Sequence, residues 1–225
     1  MKITERLDKE TAREYALRML RDNIISLDLV PGSIVSEKDL AAELGLSRTP
    51  VGEALAQLGK SQIVEIFPQR GNRVSLIDMD LVEEARFLRV VLETAVVELA
   101  CDVLTEQELP EFQENLMLQE FYVTNSNPSK VLELDNRFHR RLFELCRKGQ
   151  IYGMMDSITI HYDRVRTLSL QTVKDTKIVK DHRGILNAIM NHDRETAVDI
   201  MKKHLNRYKL DEQQIREKYS QYFKN

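Results

Sequence analysis

Residues 47–60 read SRTPVGEALAQLGK, and the fold of the first part of the chain follows from this stretch. Ser47 is a residue type that commonly precedes a helix. Apolar side chains then recur every three or four positions from Val51 to Leu58, which places them on one helical face. The stretch therefore predicts an amphipathic helix that packs on a core through one side and exposes the other.

Residues 36–45, SEKDLAAELG, predict a shorter helix directly before it. Ser36 is a good N-cap, and an acid at Asp39 favours the first turn of a helix. Gly45 ends the helix, because glycine adopts the left-handed cap conformation at little cost. Two short helices joined by a glycine turn form a helix-turn-helix, whose second helix enters the DNA major groove by its N-terminal end.

The start of the second helix carries side chains that suit DNA. Arg48 can bridge two acceptors on a guanine or bind a phosphate group. Ser47 and Thr49 are suited to phosphate oxygens. These three residues are therefore the first candidates for contacts with a nucleic acid.

A hairpin follows the two helices. Residues 63–67 and 72–76 are β-prone runs on either side of a Pro/Gly turn. A hairpin behind a helix-turn-helix is a wing, and Arg70 and Arg73 flank its tip. Two helices joined by a glycine turn also occur as ordinary surface helices. The full order of capped helix, glycine turn, amphipathic helix and Arg/Gly hairpin is rarer and favours the winged helix-turn-helix.

Composition limits the class of protein. The chain has 225 residues, 42% of them hydrophobic, with few glycines, prolines and aromatic residues, which favours a mainly helical fold. The net charge is −3, and the first 75 residues contain equal numbers of basic and acidic side chains, so DNA binding must depend on a local cluster of cations. Cys101 and Cys146 lack metal-site spacing and indicate a reducing compartment. Without an 18-residue apolar run or a signal peptide, we expect a cytoplasmic protein with no membrane partner.

The rest of the chain predicts helices only. A boundary at Asp78 gives a winged helix-turn-helix domain over residues 1–77 and a helical domain over 78–225. The first domain includes a further helix, over 10–27, ahead of the helix-turn-helix. Six helices with short connections are expected in the second domain, over residues 81–104, 105–123, 129–148, 151–170, 174–191 and 193–219. The predicted fold is therefore mainly α, with a C-terminal antiparallel all-α bundle of about six helices.

Histidines in this bundle form a second candidate site. Asp135 and His139 are four residues apart, so both side chains leave the same face of one helix. His182 and His204 lie on the last two helices, and a bundle can bring all four to one point. Three imidazoles and a carboxylate suit zinc, nickel, manganese or iron. Because Asp-x-x-x-His spacing is common, ordinary bundle histidines without a metal remain the alternative.

Residues 24–74 resemble the winged helix of GntR-family transcription regulators. The resemblance rests on Ser36-Glu37, Leu40-Ala41, residues 46–51, Glu53-Ala54-Leu55, Leu58, Pro68, Arg70-Gly71 and Val74. It implies DNA contacts at Lys38, Ser47, Arg48, Thr49 and Gly71. Most members carry an arginine at the position of Gly52, and that arginine usually contacts DNA, so the resemblance implies that one contact is lost here. Glycine also weakens the helix by about 1 kcal/mol relative to alanine.

Residues 81–208 are similar to the effector domain, called FCD, of the FadR subfamily. The similarity rests on residues 134–142, 181–189 and 193–205. It implies metal ligands at Asp135, His139, His182 and His204, with Asp181 in place of a common glutamate.

The same similarity suggests where an effector binds. It implies that Arg89 faces the pocket and binds an acidic effector, with a structural ion pair as the alternative. We expect three further residues in the same cavity, namely His161, Arg164 and Arg166.

The sequence thus predicts a DNA-binding transcription regulator controlled by a small carboxylate effector at a metal site. We expect zinc first, with nickel or manganese as alternatives, and a homodimer on a palindromic double-stranded operator. The alternative is a metal-dependent hydrolase or oxygenase that uses the three histidines and the aspartate. Against it, the sequence has no His-Glu-x-x-His helix, phosphate-binding glycine loop or Gly-x-Ser-x-Gly elbow. A regulator that responds to a long acyl thioester without metal would lack the Asp/His set.

Overall fold

The computed structural model describes residues 1–67, 71–172 and 177–224, and the chain divides into two compact units. The first unit comprises Met1–Leu81 and Tyr219–Asn225, and the second comprises Val82–Lys218. The last seven residues, which the sequence assigned to the second domain, therefore belong to the first unit. The boundary after the wing also lies slightly later than residue 77.

The first unit contains three helices and a small sheet within the described residues. Its elements are α1 (Ala12–Ile25), β1 (Ile34–Val35), α2 (Glu37–Leu44), α3 (Arg48–Lys60), β2 (Val64–Phe67) and β3 (Gly71–Val74). A short 3-10 turn, Ser220–Tyr222, follows near the C-terminus. This order of elements confirms the predicted winged helix-turn-helix.

The helix ends follow the predicted capping chemistry. The hydroxyl of Ser36 accepts a hydrogen bond from the Asp39 backbone at 3.4 Å, and Gly45 ends α2 in the left-handed conformation with φ of 65°. Ser47 precedes α3 as predicted, but its hydroxyl makes no capping bond to the residues that the structure describes. That hydroxyl is therefore available for other contacts.

The sheet has the order β1-β3-β2, and both pairs are antiparallel. Val64 lies opposite Val74 in the predicted hairpin, whereas the two-residue strand β1, with Ile34 opposite Arg73, was not predicted. Two residues are too short for an alternating pattern to identify a strand. Residues 68–70, where the sequence predicts the turn of the hairpin, lie outside the described residues, and so does the predicted DNA contact Arg70.

The C-terminal segment pairs with the chain that leaves the wing. The Ile77 backbone N–H donates to the Tyr222 carbonyl at 2.7 Å, and the Lys224 N–H donates to the Ile77 carbonyl at 2.9 Å. Ile77 and Phe223 form a parallel bridge and are both buried. These backbone bonds and the burial of Phe223 explain why the final residues join the first unit.

The helical domain contains a bundle of seven helices within the described residues. They are α4 (Met79–Val103), α5 (Leu109–Thr124), α6 (Pro128–Leu145), α7 (Gly149–Thr172), α8 (Lys177–Met190), α9 (Arg194–Leu205) and α10 (Tyr208–Lys218). The prediction of a single helix over 193–219 is wrong, because the helix is interrupted between Leu205 and Tyr208, which gives α9 and α10. The Asn206 side chain donates to the Lys202 carbonyl at 2.6 Å and so ends α9.

Another difference lies at the start of α5. Thr105 was expected to open this helix, but the helix begins at Leu109. The Glu108 carboxylate accepts from the Thr105 backbone at 3.0 Å, which closes a separate turn ahead of the helix.

Within the described ranges, no helix is long and apolar enough to cross a membrane.

Aromatic rings fill the core of the bundle beside the predicted metal ligands. Phe112 and Phe138 pack edge to face with centroids 5.5 Å apart, and Phe138 stacks on the His182 ring at 4.2 Å. Phe138 and His139 are neighbours on α6, whose buried face they share. The apolar core thus fixes the positions of the histidine rings that lie next to it.

Candidate functional site

The four predicted metal ligands meet inside the bundle. α6 supplies two of them, and α8 and α9 supply one each. Their ligand atoms all lie within 4.8 Å of one another, and all four side chains are buried: Asp135, His139, His182 and His204. The structure therefore brings together the whole set that the sequence predicted.

The same ring nitrogen of each histidine faces the centre of the cluster. His204 Nε2 lies 3.1 Å from His139 Nε2 and 3.2 Å from His182 Nε2. The Asp135 carboxylate lies 3.5 Å from each of the three nitrogens. A single proton satisfies at most one such pair, whereas one cation can accept all four donor atoms. The donor set and its convergence therefore fit a transition-metal ion.

The charge states of these residues suit metal binding. Burial lowers the pKa of His139 and lowers that of His182 further, so both rings stay neutral near neutral pH. Burial would raise the pKa of Asp135, but Arg166 and the three histidines lower it well below its usual range. A metal requires neutral imidazoles and an ionised carboxylate, and these directions of the pKa favour those forms for His139, His182 and Asp135.

Arg89 lies in a buried ion pair. Its Nε is 2.5 Å from Glu93 Oε1, and the two side chains are 3% and 1% exposed. The other carboxylate oxygen of Glu93 contacts His139 Nδ1. Burial would raise the pKa of Glu93, but Arg89 and His139 lower it to about 2. The position of Arg89 thus corresponds to the structural ion pair that the sequence left as the alternative to effector binding.

A small cavity of about 40 Å³ opens beside two of the predicted metal ligands, Asp135 and His204. It is lined by Asp135, Tyr162, Arg166, Ser169, Leu170, Ile178, His204, Arg207 and Tyr208. Among the described residues, Arg166 is the predicted effector contact that lines this cavity. Sequence reasoning missed Tyr162, Arg207 and Tyr208, for which the sequence offers no motif.

The remaining predicted effector residues lie elsewhere in the helical unit. Arg164 is fully buried, with Nη2 3.2 Å from His161 Nδ1, and burial lowers its pKa to about 10. Both residues lie on α7, which also carries Arg166. Arg166 contacts the Asp135 carboxylate and donates to Asp163 Oδ1 at 2.6 Å. Of the three, Arg166 is therefore the residue that both lines the cavity and contacts a predicted metal ligand, Asp135.

Four of the predicted DNA contacts are exposed at the starts of α2 and α3. They are Lys38, Ser47, Arg48 and Thr49. In the wing, Gly71 has φ of 96°, a conformation that favours glycine, and Arg73 forms an ion pair with Glu65 across the hairpin. The side chain of Arg73 remains 41% exposed, so the pair leaves it partly accessible.

Glu37 lies next to Gly52, the position at which most family members carry an arginine. A Cβ atom added to Gly52 would be 3.5 Å from Glu37 Oε2. Glu37 is exposed at the start of α2, beside the N-terminal half of α3. The surface next to Arg48 therefore carries a carboxylate where a second cation is usual.

Comparisons with known proteins agree with this architecture. Residues 13–74 match the bacterial regulatory proteins of the gntR family, and residues 84–207 match the FCD domain. The chain belongs to the GntR family. It is 29% identical to the transcriptional repressor RspR of Escherichia coli K12 over 95% of this chain and 94% of RspR. It is 32% identical to an uncharacterised transcriptional regulator of Streptomyces ambofaciens, over 92% and 87% of the two chains.

A solved structure of a GntR-family relative gives the same fold. The structure of E. coli McbR/YncC has a TM-score of 0.80 and 19% identity, and the match covers 93% of this chain and 99% of McbR. The family and these homologues are transcription regulators, so this GntR-family chain is a regulator and the enzyme alternative is wrong.

Proposed function

We propose that this GntR-family regulator binds a divalent metal ion at Asp135, His139, His182 and His204, and that a small carboxylate bound beside the ion changes its affinity for operator DNA. The convergence of three Nε2 atoms and one carboxylate within 4.8 Å carries the proposal. Such nitrogens repel one another unless protons or a cation lie between them. The experiment that tests the proposal directly is a comparison of operator binding with and without metal, described in the Discussion.

Zinc is the first expected ion, and nickel or manganese are the alternatives. Imidazole nitrogens favour zinc and nickel, while a carboxylate oxygen also suits manganese. When bound, the ion supplies positive charge and, if it accepts five or six ligands, leaves one or two positions for water or a carboxylate oxygen. Elemental analysis with native mass spectrometry of the purified protein identifies the ion and any acid that it retains.

The effector that fits is small and acidic. The cavity beside Asp135 and His204 is about 40 Å³, which leaves room for only a few non-hydrogen atoms. Arg166 and Arg207 both line it, and guanidinium groups bind carboxylates with two parallel hydrogen bonds. We therefore propose Arg166 as the arginine that binds the effector, while Arg89 acts through Glu93 and His139.

The chain provides a covalent route from the metal site to the DNA-binding unit. One ion would hold α6, α8 and α9 together, because each carries at least one ligand. After α9 the chain forms α10 and then returns to the first unit at Tyr219. Movement of α9 can thus reach the winged helix through α10. The free energy for such a movement must come from tighter effector binding to one arrangement than to the other.

Exposed apolar side chains on α4 support a homodimer. They form two pairs of neighbours four residues apart, Phe87 with Val91 and Leu99 with Val103. A second copy of the chain is the partner that a palindromic operator requires, since two-fold symmetry in the protein matches that of the DNA. We propose repression, the activity in the name of RspR, as its mode, and the cytoplasm, where the operator lies, as its location.

Arg48→Ala is expected to remove specific operator binding and leave the fold intact. Arg48 is exposed in the first turn of α3, so its loss disturbs no core. Each lost base or phosphate contact costs about 1 to 3 kcal/mol, and a dimer loses one in each half-site. Fluorescence anisotropy with labelled operator at fixed salt measures the effect. Lys60→Ala, which removes the same charge from the other end of α3, is the matched control; equal binding by Arg48→Ala and the parent would mean that α3 is not the recognition helix.

Gly52→Arg is expected to raise operator affinity and the salt dependence of binding. The new side chain would lie next to Glu37 and within reach of DNA phosphate, so it adds one cation and offsets one carboxylate. Arginine also favours the helix by about 1 kcal/mol relative to glycine.

The salt slope separates a DNA contact from an ion pair within the protein. A phosphate contact increases the slope of log affinity against log salt by about 1. Glu37→Gln removes the carboxylate without adding a side chain that reaches phosphate and is the comparison variant. Unchanged or weaker binding by Gly52→Arg would contradict the proposed approach of α3 to DNA.

A further inference from the structure

Each histidine of the cluster has its second nitrogen, Nδ1, directed at an acceptor outside the cluster. His182 Nδ1 lies 2.8 Å from Gln119 Oε1, and His139 Nδ1 contacts the Glu93 carboxylate. His204 Nδ1 is 3.8 Å from Asp181 Oδ2, which is longer than a hydrogen bond. We refer to Glu93, Gln119 and Asp181 as the outer acceptors. They differ in distance and charge, so they act unequally on the three rings.

We propose that Gln119 and Glu93 are positioning residues that keep the proton of His182 and His139 on Nδ1 and thereby direct the Nε2 lone pairs to the metal. The inference rests on the metal site proposed above. It concerns side chains that would not contact the ion. Their effect is exerted through the orientation and tautomer of two ligands.

The direction of hydrogen bonding around Gln119 follows from the backbone. Asn115 Nδ2 donates to the Leu134 carbonyl at 3.0 Å, and a carbonyl can only accept, so the Asn115 amide has one orientation. Its oxygen then accepts from Gln119 Nε2 at 2.6 Å. This leaves Gln119 Oε1 towards His182. Reversing the Gln119 amide would place its oxygen against the Asn115 oxygen, two acceptors without a proton between them.

His182 therefore must donate from Nδ1. A neutral imidazole has a single N–H group, so a proton on Nδ1 leaves a lone pair on Nε2. Gln119 and His182 are both 0% exposed, and Asn115 is 4% exposed, so bulk water offers little alternative to these bonds. The series of hydrogen bonds from Leu134 through Asn115 and Gln119 to His182 begins one residue before the proposed ligand Asp135. Gln119 thus connects α5, which carries none of the four ligands, to ligands on α6 and α8.

Glu93 acts on His139 in a different way. It is 1% exposed, and its carboxylate can only accept, so its contact with His139 Nδ1 favours the tautomer that carries the proton on that nitrogen. Arg89 Nε, 2.5 Å from the other carboxylate oxygen, holds this acceptor in place. A charged acceptor makes the ring a stronger metal ligand than an amide does. Acceptors of different charge therefore favour the same tautomer in the two rings.

The first test is the tautomer of His182 in metal-free, full-length protein, which NMR of the ring nitrogens reports directly. The expected result is a proton on Nδ1 in the parent and in Gln119→Glu, which retains an acceptor, and a mixture of tautomers in Gln119→Leu. A proton on Nε2 in the parent would overturn the proposal. This measurement needs no metal, so it stands even if the proposed metal site fails.

The second test is zinc affinity, measured by competition with a chromophoric chelator. Gln119→Leu is expected to bind zinc about 10- to 100-fold more weakly than the parent, as for other lost outer partners, while Gln119→Glu retains most of the affinity. Glu120→Gln is the control, because Glu120 is the exposed neighbour that pairs with Arg183. Equal zinc affinity in Gln119→Leu and the parent would overturn the role of Gln119. No zinc binding by the parent would instead count against the proposed function.

Discussion

His182→Ala is expected to lower zinc affinity by more than about 100-fold, the upper range for loss of an outer partner, because it removes a ligand itself. His182 is 0% exposed and supplies the only ligand on α8, so no neighbouring side chain in the described cluster replaces it. The variant should also lose the effector response while its winged helix still binds DNA. Metal content per chain and operator binding with and without a carboxylate measure both effects.

The matched control is His192→Ala. His192 belongs to the same unit but is exposed, and its Nδ1 faces the Cys101 carbonyl rather than the cluster. Its replacement should leave the metal content unchanged. Full metal occupancy in His139→Ala, His182→Ala and His204→Ala alike would make these ordinary bundle histidines and would remove the proposed coupling.

Arg89→Met is expected to lower the free energy of unfolding by about 3 to 5 kcal/mol, the usual cost of removing one partner from a buried ion pair. Methionine retains much of the side-chain volume, but Glu93 would be left charged at 1% exposure with only His139 beside it. Urea denaturation of the metal-free protein at neutral pH measures the change. Adding Glu93→Gln should recover part of the loss, because the unpaired charge is then gone.

Arg86→Met is the matched control for this prediction. Arg86 lies one turn earlier on α4 and pairs with Glu83 at 2.9 Å, but Glu83 is 39% exposed. Such a pair contributes about 0 to 1 kcal/mol, and Arg86 also donates to Asn206 Oδ1 at 3.0 Å, so we expect a loss smaller than that of Arg89→Met. If Arg89→Met unfolded like the parent and lost only effector binding, Arg89 would be a direct effector contact, as the family resemblance implied.

The winged helix was predictable because its signals are local. Ser36, Gly45 and the apolar spacing of α3 each act within a few residues, and the structure confirms all three. β1 was missed because its two residues become a strand only through pairing with β3. The C-terminal return was missed for the same reason, since Phe223 acquires its bridge with Ile77 only in the folded chain.

The four residues of the proposed metal site were also predictable, but their surroundings were not. Asp135 and His139 show helical spacing, and imidazole is a recognisable ligand type. Gln119 carries no such signal, because a glutamine within a helix is ordinary and its role depends on Asn115 and a backbone carbonyl from α6. For Arg89 the resemblance left two roles open, effector binding and a structural ion pair. Its i,i+4 spacing to Glu93 was compatible with an ion pair, and burial of both side chains identified that pair.

The measurement that tests the central claim most directly is operator affinity of the full-length protein with and without zinc. The operator would be selected from random DNA by the purified protein, and the metal would be removed with a chelator and then restored. We predict that the two states differ about 5- to 150-fold in operator dissociation constant, the range of ordinary allosteric coupling, and that His182→Ala shows no such difference. By linkage, operator DNA should change zinc affinity by the same factor. Identical operator dissociation constants for the zinc-loaded, zinc-free and His182→Ala proteins would contradict control of DNA binding through the metal site.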